Sequence, residues 1–180
     1  ALPATTWGHQ GSGLAPSVIT VIERSALACA GHNIGGRCRA TALMVSYGRL
    51  HQPASVLLKD LFLSWFQILQ SWNKSGDLPM LRASWSHARN FLVTKLCSTS
   101  SLYNHVKGLM SNIICTLIVL GWNPREYNVW ESPPDEEGEF EVFIVNDPNT
   151  IPMALISHIV DTKINKDIIR ASKHYDGKGM

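Results

Sequence analysis

The chain has 180 residues, 45% hydrophobic and 17% charged, with a net charge of +2. Ordinary soluble domains sit nearer a quarter charged, so this composition suits one domain, or one and a half, with a sizeable core that needs no staples. It contains no internal repeat and no low-complexity tract, and the small net charge selects no particular partner.

Charge distribution says more than the total. Residues 1–100 carry nine Lys/Arg against three Asp/Glu, and residues 101–180 carry seven against eleven. A basic half beside an acidic half points to a nucleic-acid face or to self-association. The four cysteines, Cys29, Cys38, Cys97 and Cys115, lie along apolar helical segments and read as reduced, buried thiols of an intracellular protein. No signal peptide is evident. The longest apolar run, Ile113 to Trp122, is half a membrane span, so no insertion is expected. Both ends, "ALPATTWGHQGSG" and "HYDGKGM", read as cut edges within a longer protein.

In chain order, residues 1–15 read as a Gly/Pro/Ser loop or linker. Pro16 opens a helix to about Ala30, with Val18, Val21, Ile22 and Cys29 on one side. "GHNIGG" breaks it, and a second helix runs from Arg37 to Tyr47. Pro53 opens a third, to about Asn73, whose narrow polar stripe (Asp60, Ser64, Gln67, Ser71, Lys74) marks it as packed on most sides. Asp77 reads as the N-cap of a fourth helix to about Lys95, with a seam of Leu81, Trp85, Ala88 and Leu92. A fifth spans roughly Leu102 to Leu120, and Gly121 stops it. The period then changes to two: "EYNVW" and "GEFEVFIV" flank "SPPDEEG", which has turn chemistry, so a hairpin is expected. "NDPNTIP" starts a helix to about Asp161, and a last one follows with little or no break from Ile164 to about His174.

The expected fold is therefore mainly α, an orthogonal, irregular bundle of five to seven helices around Trp65, Trp72, Trp85, Ile114, Leu117 and Trp122, with one small β-hairpin at about 127–145. The parts are a 1–15 linker, a 16–121 helical core, a 122–147 acidic hairpin, C-terminal helices over 148–176 and a 177–180 linker.

Cys29, His32 and Cys38 are zinc-ligand types with a C-x2-H pair, but a fourth local ligand is missing. The favoured reading is a core cysteine, a loop histidine and a helix-start cysteine, and no metal or other cofactor is assigned. "IGGRCRAT" places two glycines before a helix start, where free N–H groups and the side chains of Arg37 and Arg39 suit a phosphate. The plainer reading is a helix–helix turn with two solvated arginines. "GHQGSG" lacks the preceding strand and the Lys-Ser/Thr of a phosphate loop. In the last helix Lys163, Lys166, Arg170 and Lys173 share one face, which fits a nucleic-acid backbone or simple complementation of the helix dipole. Eight Asp/Glu and no Lys/Arg lie between Glu126 and Asp147. Most fall in a turn or on exposed strand positions, where they oppose edge pairing. No local Ser-His-Asp motif is recognisable, so no catalytic residue is assigned.

"TTWGHQGSGLAPSVI", "GGRCRATALMVSYG", "VKGLMSNIICTLIVLGWNPREYNVWES" and "ASKHYDGKGM" occur in an order that resembles the region after the reverse-transcriptase core in LINE-type, non-LTR retroelement (retrotransposon) polyproteins of dinoflagellate type. The resemblance spans most of the chain as short motifs. It implies an intracellular, non-catalytic thumb or connector that supports template–primer duplex and packs between polymerase and nuclease domains. The polymerase's Tyr/Phe-x-Asp-Asp motif is absent, and Asp147 stands alone in "NDPN". The alternative is a helical protein–protein interaction or self-association module with no nucleic-acid role.

Overall fold

The computed structural model describes residues 8–13, 15–31, 38–96 and 99–176, with the backbone alone at 99–100 and 173–176. Its elements are α1 (His9–Ser12), α2 (Pro16–Cys29), α3 (Arg39–Tyr47), α4 (Pro53–Ser75), α5 (Leu78–Thr94), α6 (Thr99–Leu102), a 3-10 turn (Tyr103–His105), α7 (Leu109–Leu120), β1 (Asn123–Glu126), β2 (Val129–Glu131), β3 (Val142–Ile144) and α8 (Met153–Asp176). The mainly helical class is as the periodicity requires, and a small antiparallel sheet of order β1-β2-β3 accompanies it.

Helix α4 is the central rod. Pro53 takes the first turn, where its missing N–H costs nothing, and Gly76 ends it in the left-handed conformation. Leu58, Leu61, Phe62, Trp65, Phe66 and Leu69 are buried along it. Asp60, Gln67, Ser71 and Lys74 form the exposed stripe that the sequence predicts, with Ser64 half-buried. α5 lays Leu81, Trp85 and Leu92 against this rod. Asp77 occupies the N-cap position of α5 as expected, but its side chain makes no capping bond; its Oδ2 instead accepts the Ser75 hydroxyl at 2.6 Å.

The core centres on five aromatic side chains. Trp130 of β2 meets Phe62 at 5.6 Å, Phe66 at 5.8 Å and Trp85 at 6.5 Å between ring centroids, and Trp65 meets Trp85 at 5.1 Å. Trp130 Nε1 donates to the Glu126 carbonyl at 3.1 Å, so the ring is held by a polar tether as well as by packing. Of the expected core residues, Trp65, Trp85, Ile114, Leu117 and Trp122 are buried, and Trp72 is half-buried at the margin.

Four local expectations change, and a fifth is sharpened. Residues 9–12, expected in a loop, form one helical turn docked on α7: Asn112 Nδ2 donates to the carbonyls of His9 and Gln10 at 3.0 Å each, and Gly108 N–H donates to Gly11 at 2.8 Å. α2 buries Glu23 and Leu27, whereas Val18, Val21 and Cys29 face solvent, so its inner face is rotated from the expected one. The fifth helix does not begin at Leu102, because Gly108 at φ 90° and extended Val106 break it, and α7 starts after them. "EYNVW" is not one strand; Tyr127 and Asn128 turn the chain, and Asn123–Glu126 is an additional strand, with Pro124 on a sheet edge where its missing N–H breaks no ladder. Finally, the two C-terminal helices expected with little or no break between them run on as one helix, α8, of 24 residues, since no Gly or Pro interrupts it.

The stop at Gly121 follows the Schellman pattern. Gly121 N–H bonds to Ile118 and Trp122 N–H to Leu117, both at 2.9 Å, with Gly121 at φ 89°. The chain leaves α7 directly into the sheet.

Candidate functional site

The stripe on α8 faces a cleft. α8 is anchored by Leu155, Ile156, Ile159, Val160 and Ile164, all buried, which fixes its rotation. Lys163, Lys166 and Arg170, spaced by three and four residues, then point to one side. α3 brings Arg39 to the same place, and α2 brings Glu23. Together they border a cavity of about 510 Å³ whose floor includes Ile19, Leu57, Leu58, Leu61 and Leu120. An adjoining cavity of about 410 Å³ shares Glu23, Arg39, Asp167 and Arg170.

The charges are not equivalent. Glu23 is 3% exposed, and its Oε2 lies 3.1 Å from Arg39 Nε. Burial pushes its carboxyl above the usual range, against the attraction of Lys163 and Arg39, and Asp167 adds to the rise. Lys163 pairs with Asp167 one helical turn on. Lys166 Nζ donates to the Val119 carbonyl at 2.8 Å, near the C-terminal end of α7, where the helix dipole favours a cation. The Arg170 side chain is exposed and makes no ion pair or hydrogen bond among the described residues. Of the four described cations, Arg39 and Lys163 pair with carboxylates, whereas Lys166 and Arg170 have no carboxylate partner among the described residues.

Four of the six predicted contact residues, Arg39, Lys163, Lys166 and Arg170, therefore converge. Arg37 and the Lys173 side chain lie outside the described residues, as do His32, Cys97 and the glycines of "IGGRCRAT". Cys29 is exposed, not buried as expected; Cys38 is half-buried, Cys115 is buried, and all three are free. Hydrogen bonds from Thr41 lower the Cys38 thiol, whereas burial pushes Cys115 up to about 12. Asp147 terminates the loop before α8: it accepts from Thr150 Oγ1 at 2.6 Å and from Asn149 N–H at 2.9 Å, and these bonds lower its carboxyl.

Glu23 was not singled out by sequence reasoning, nor was the apolar floor. A signal existed. Ile19, Glu23 and Leu27 are spaced by four, so an acid interrupts an otherwise apolar helical row. Among the described residues no helix is long and apolar enough to cross a membrane. No family model matches the sequence, and neither a curated protein nor a solved structure matches it.

Proposed function

We propose that the chain is a non-catalytic helical connector that holds nucleic-acid backbone within a retroelement reverse-transcriptase polyprotein, lying against its polymerase and nuclease domains. The observation that carries this reading is the convergence of Arg39, Lys163, Lys166 and Arg170 on one cleft from two separate helices. Lys166 and Arg170 at its rim suit phosphate oxygens, which are recognised by charge without regard to sequence. The order of short motifs supports the polyprotein setting.

The test is fluorescence anisotropy of a labelled RNA–DNA duplex titrated with folded protein at several salt concentrations. Affinity that falls with salt and ignores duplex sequence supports the proposal. No binding at low salt, with native circular dichroism retained, rejects it. A protein-interaction role is favoured by a different feature, the apolar outer edge of β3.

A further inference from the structure

"EFEV" at 139–142 alternates acidic and apolar residues and runs into β3. Beyond it, Val129 pairs with Ile144, Trp130 with Phe143 and Glu131 with Val142. Val145 N–H donates to Asn128 and Ser132 N–H to Glu141, both at 2.9 Å. The main-chain groups of 141 and 145 thus face β2. By antiparallel alternation those of Val142 and Ile144 face the other edge, which no strand covers among the described residues.

The side chains follow the same alternation. Phe143 turns inward onto Trp122 and His158. Phe140, Val142 and Ile144 form an outer row, 57%, 45% and 55% exposed. A free edge with an apolar row is a template for strand addition.

Charge selects the occupant. Glu126 and Glu131 hold Arg82 and Arg125. Glu136, Glu137, Glu139 and Glu141 pair with no cation among the described residues. A second copy brought to this edge meets its own acids, which disfavours self-pairing. We infer that the β3 edge binds an extended peptide of alternating basic and apolar residues, added to the sheet as a further strand. Its apolar side chains lie beside Phe140, Val142 and Ile144, and its basic ones face Glu139 and Glu141. This edge shares no residue with the cleft, so the inference stands apart from the nucleic-acid reading.

The probe is fluorescein-labelled Lys-Val-Lys-Val-Lys-Val-Lys, titrated with the full chain by anisotropy. Saturable binding is expected, together with an increase in the β-strand amide I signal of an isotope-labelled peptide. N-methylating the valines removes edge donors from the probe and leaves the protein untouched; affinity should drop about tenfold. Val142→Pro removes an N–H that faces the open edge and spares the β2 ladder, so a similar drop is expected with native circular dichroism. Glu139→Lys/Glu141→Lys should weaken binding by about tenfold or more. The inference is overturned if seven lysines bind as tightly as the alternating peptide, if N-methylation leaves affinity unchanged, or if the probe does not bind.

Discussion

The cleft predicts a particular salt dependence. Each phosphate neutralised by a free cation contributes about −0.9 to the slope of log K against log salt on duplex. If all four described cleft cations met phosphates, the slope from them would be about −3.6. Affinity would then fall about 150-fold between 50 and 200 mM salt. Arg39 is instead spent on Glu23, and Lys163 on Asp167. That leaves Lys166 and Arg170, a contribution of about −1.8 and a fall of about 12-fold over the same range. Lys166→Ala and Arg170→Ala should each make the slope shallower by about 0.9. The neutral pairs Arg39→Ala/Glu23→Gln and Lys163→Ala/Asp167→Ala should leave it within about 0.3 of the parent. The assay is anisotropy at five or more salt concentrations with one labelled duplex. A neutral pair that flattens the slope as much as Arg170→Ala would refute the division of charges, and an unchanged slope in Arg170→Ala would refute the site.

Trp130→Ala empties the centre of the aromatic cluster and should cost about 3–5 kcal/mol, lowering Tm by about 6–20 °C; urea and thermal melts read both. Trp122→Phe should cost less than Trp130→Phe, because Trp122 Nε1 is buried without a partner among the described residues whereas Trp130 Nε1 is bonded. Glu23 has a raised folded-state pKa against an ordinary 4.5, so the folded state holds its proton more tightly. The stability linked to that proton is present below the ordinary value and is lost as pH rises through the raised one. Glu23→Gln should therefore gain relative to the parent as pH rises above the ordinary carboxylate value, measured by urea midpoints at each pH. Under a thiol-reactive dye, Cys29 should label rapidly in the native state, whereas Cys115, buried and raised to about 12, should label only after denaturation; peptide mapping distinguishes them.

What the sequence made legible was local. Gly121 as a helix stop, Pro16 and Pro53 as helix starts, and the polar stripe of α4 each depend on residues within a few positions. The second hairpin partner, Asn123–Glu126, was hidden because Pro124 argues against a strand, and only its edge position removes the objection. The break at Gly108 was hidden by an apolar period that continues across it. The site was half legible for the same reason. Spacing on α8 revealed the cationic stripe, but the acid that neutralises Arg39 comes from α2, and only tertiary packing brings it there. Asp167 lies among these cations in the sequence, but spacing alone does not show that it holds Lys163.

The docking of His9–Ser12 also bears on the order in which the chain assembles. The Asn112 side chain reaches carbonyls 103 and 102 residues back along the chain. Closing so long a loop in the unfolded ensemble costs about 4 kcal/mol of chain entropy, more than a few hydrogen bonds return. The turn is therefore expected to attach after α4 and α7 have met and presented Asn112 on a formed surface. It is also expected to detach before the rest. Its amides are expected to exchange with solvent through a local opening well below the global barrier, while those of α4 and α7 wait for the whole domain to unfold.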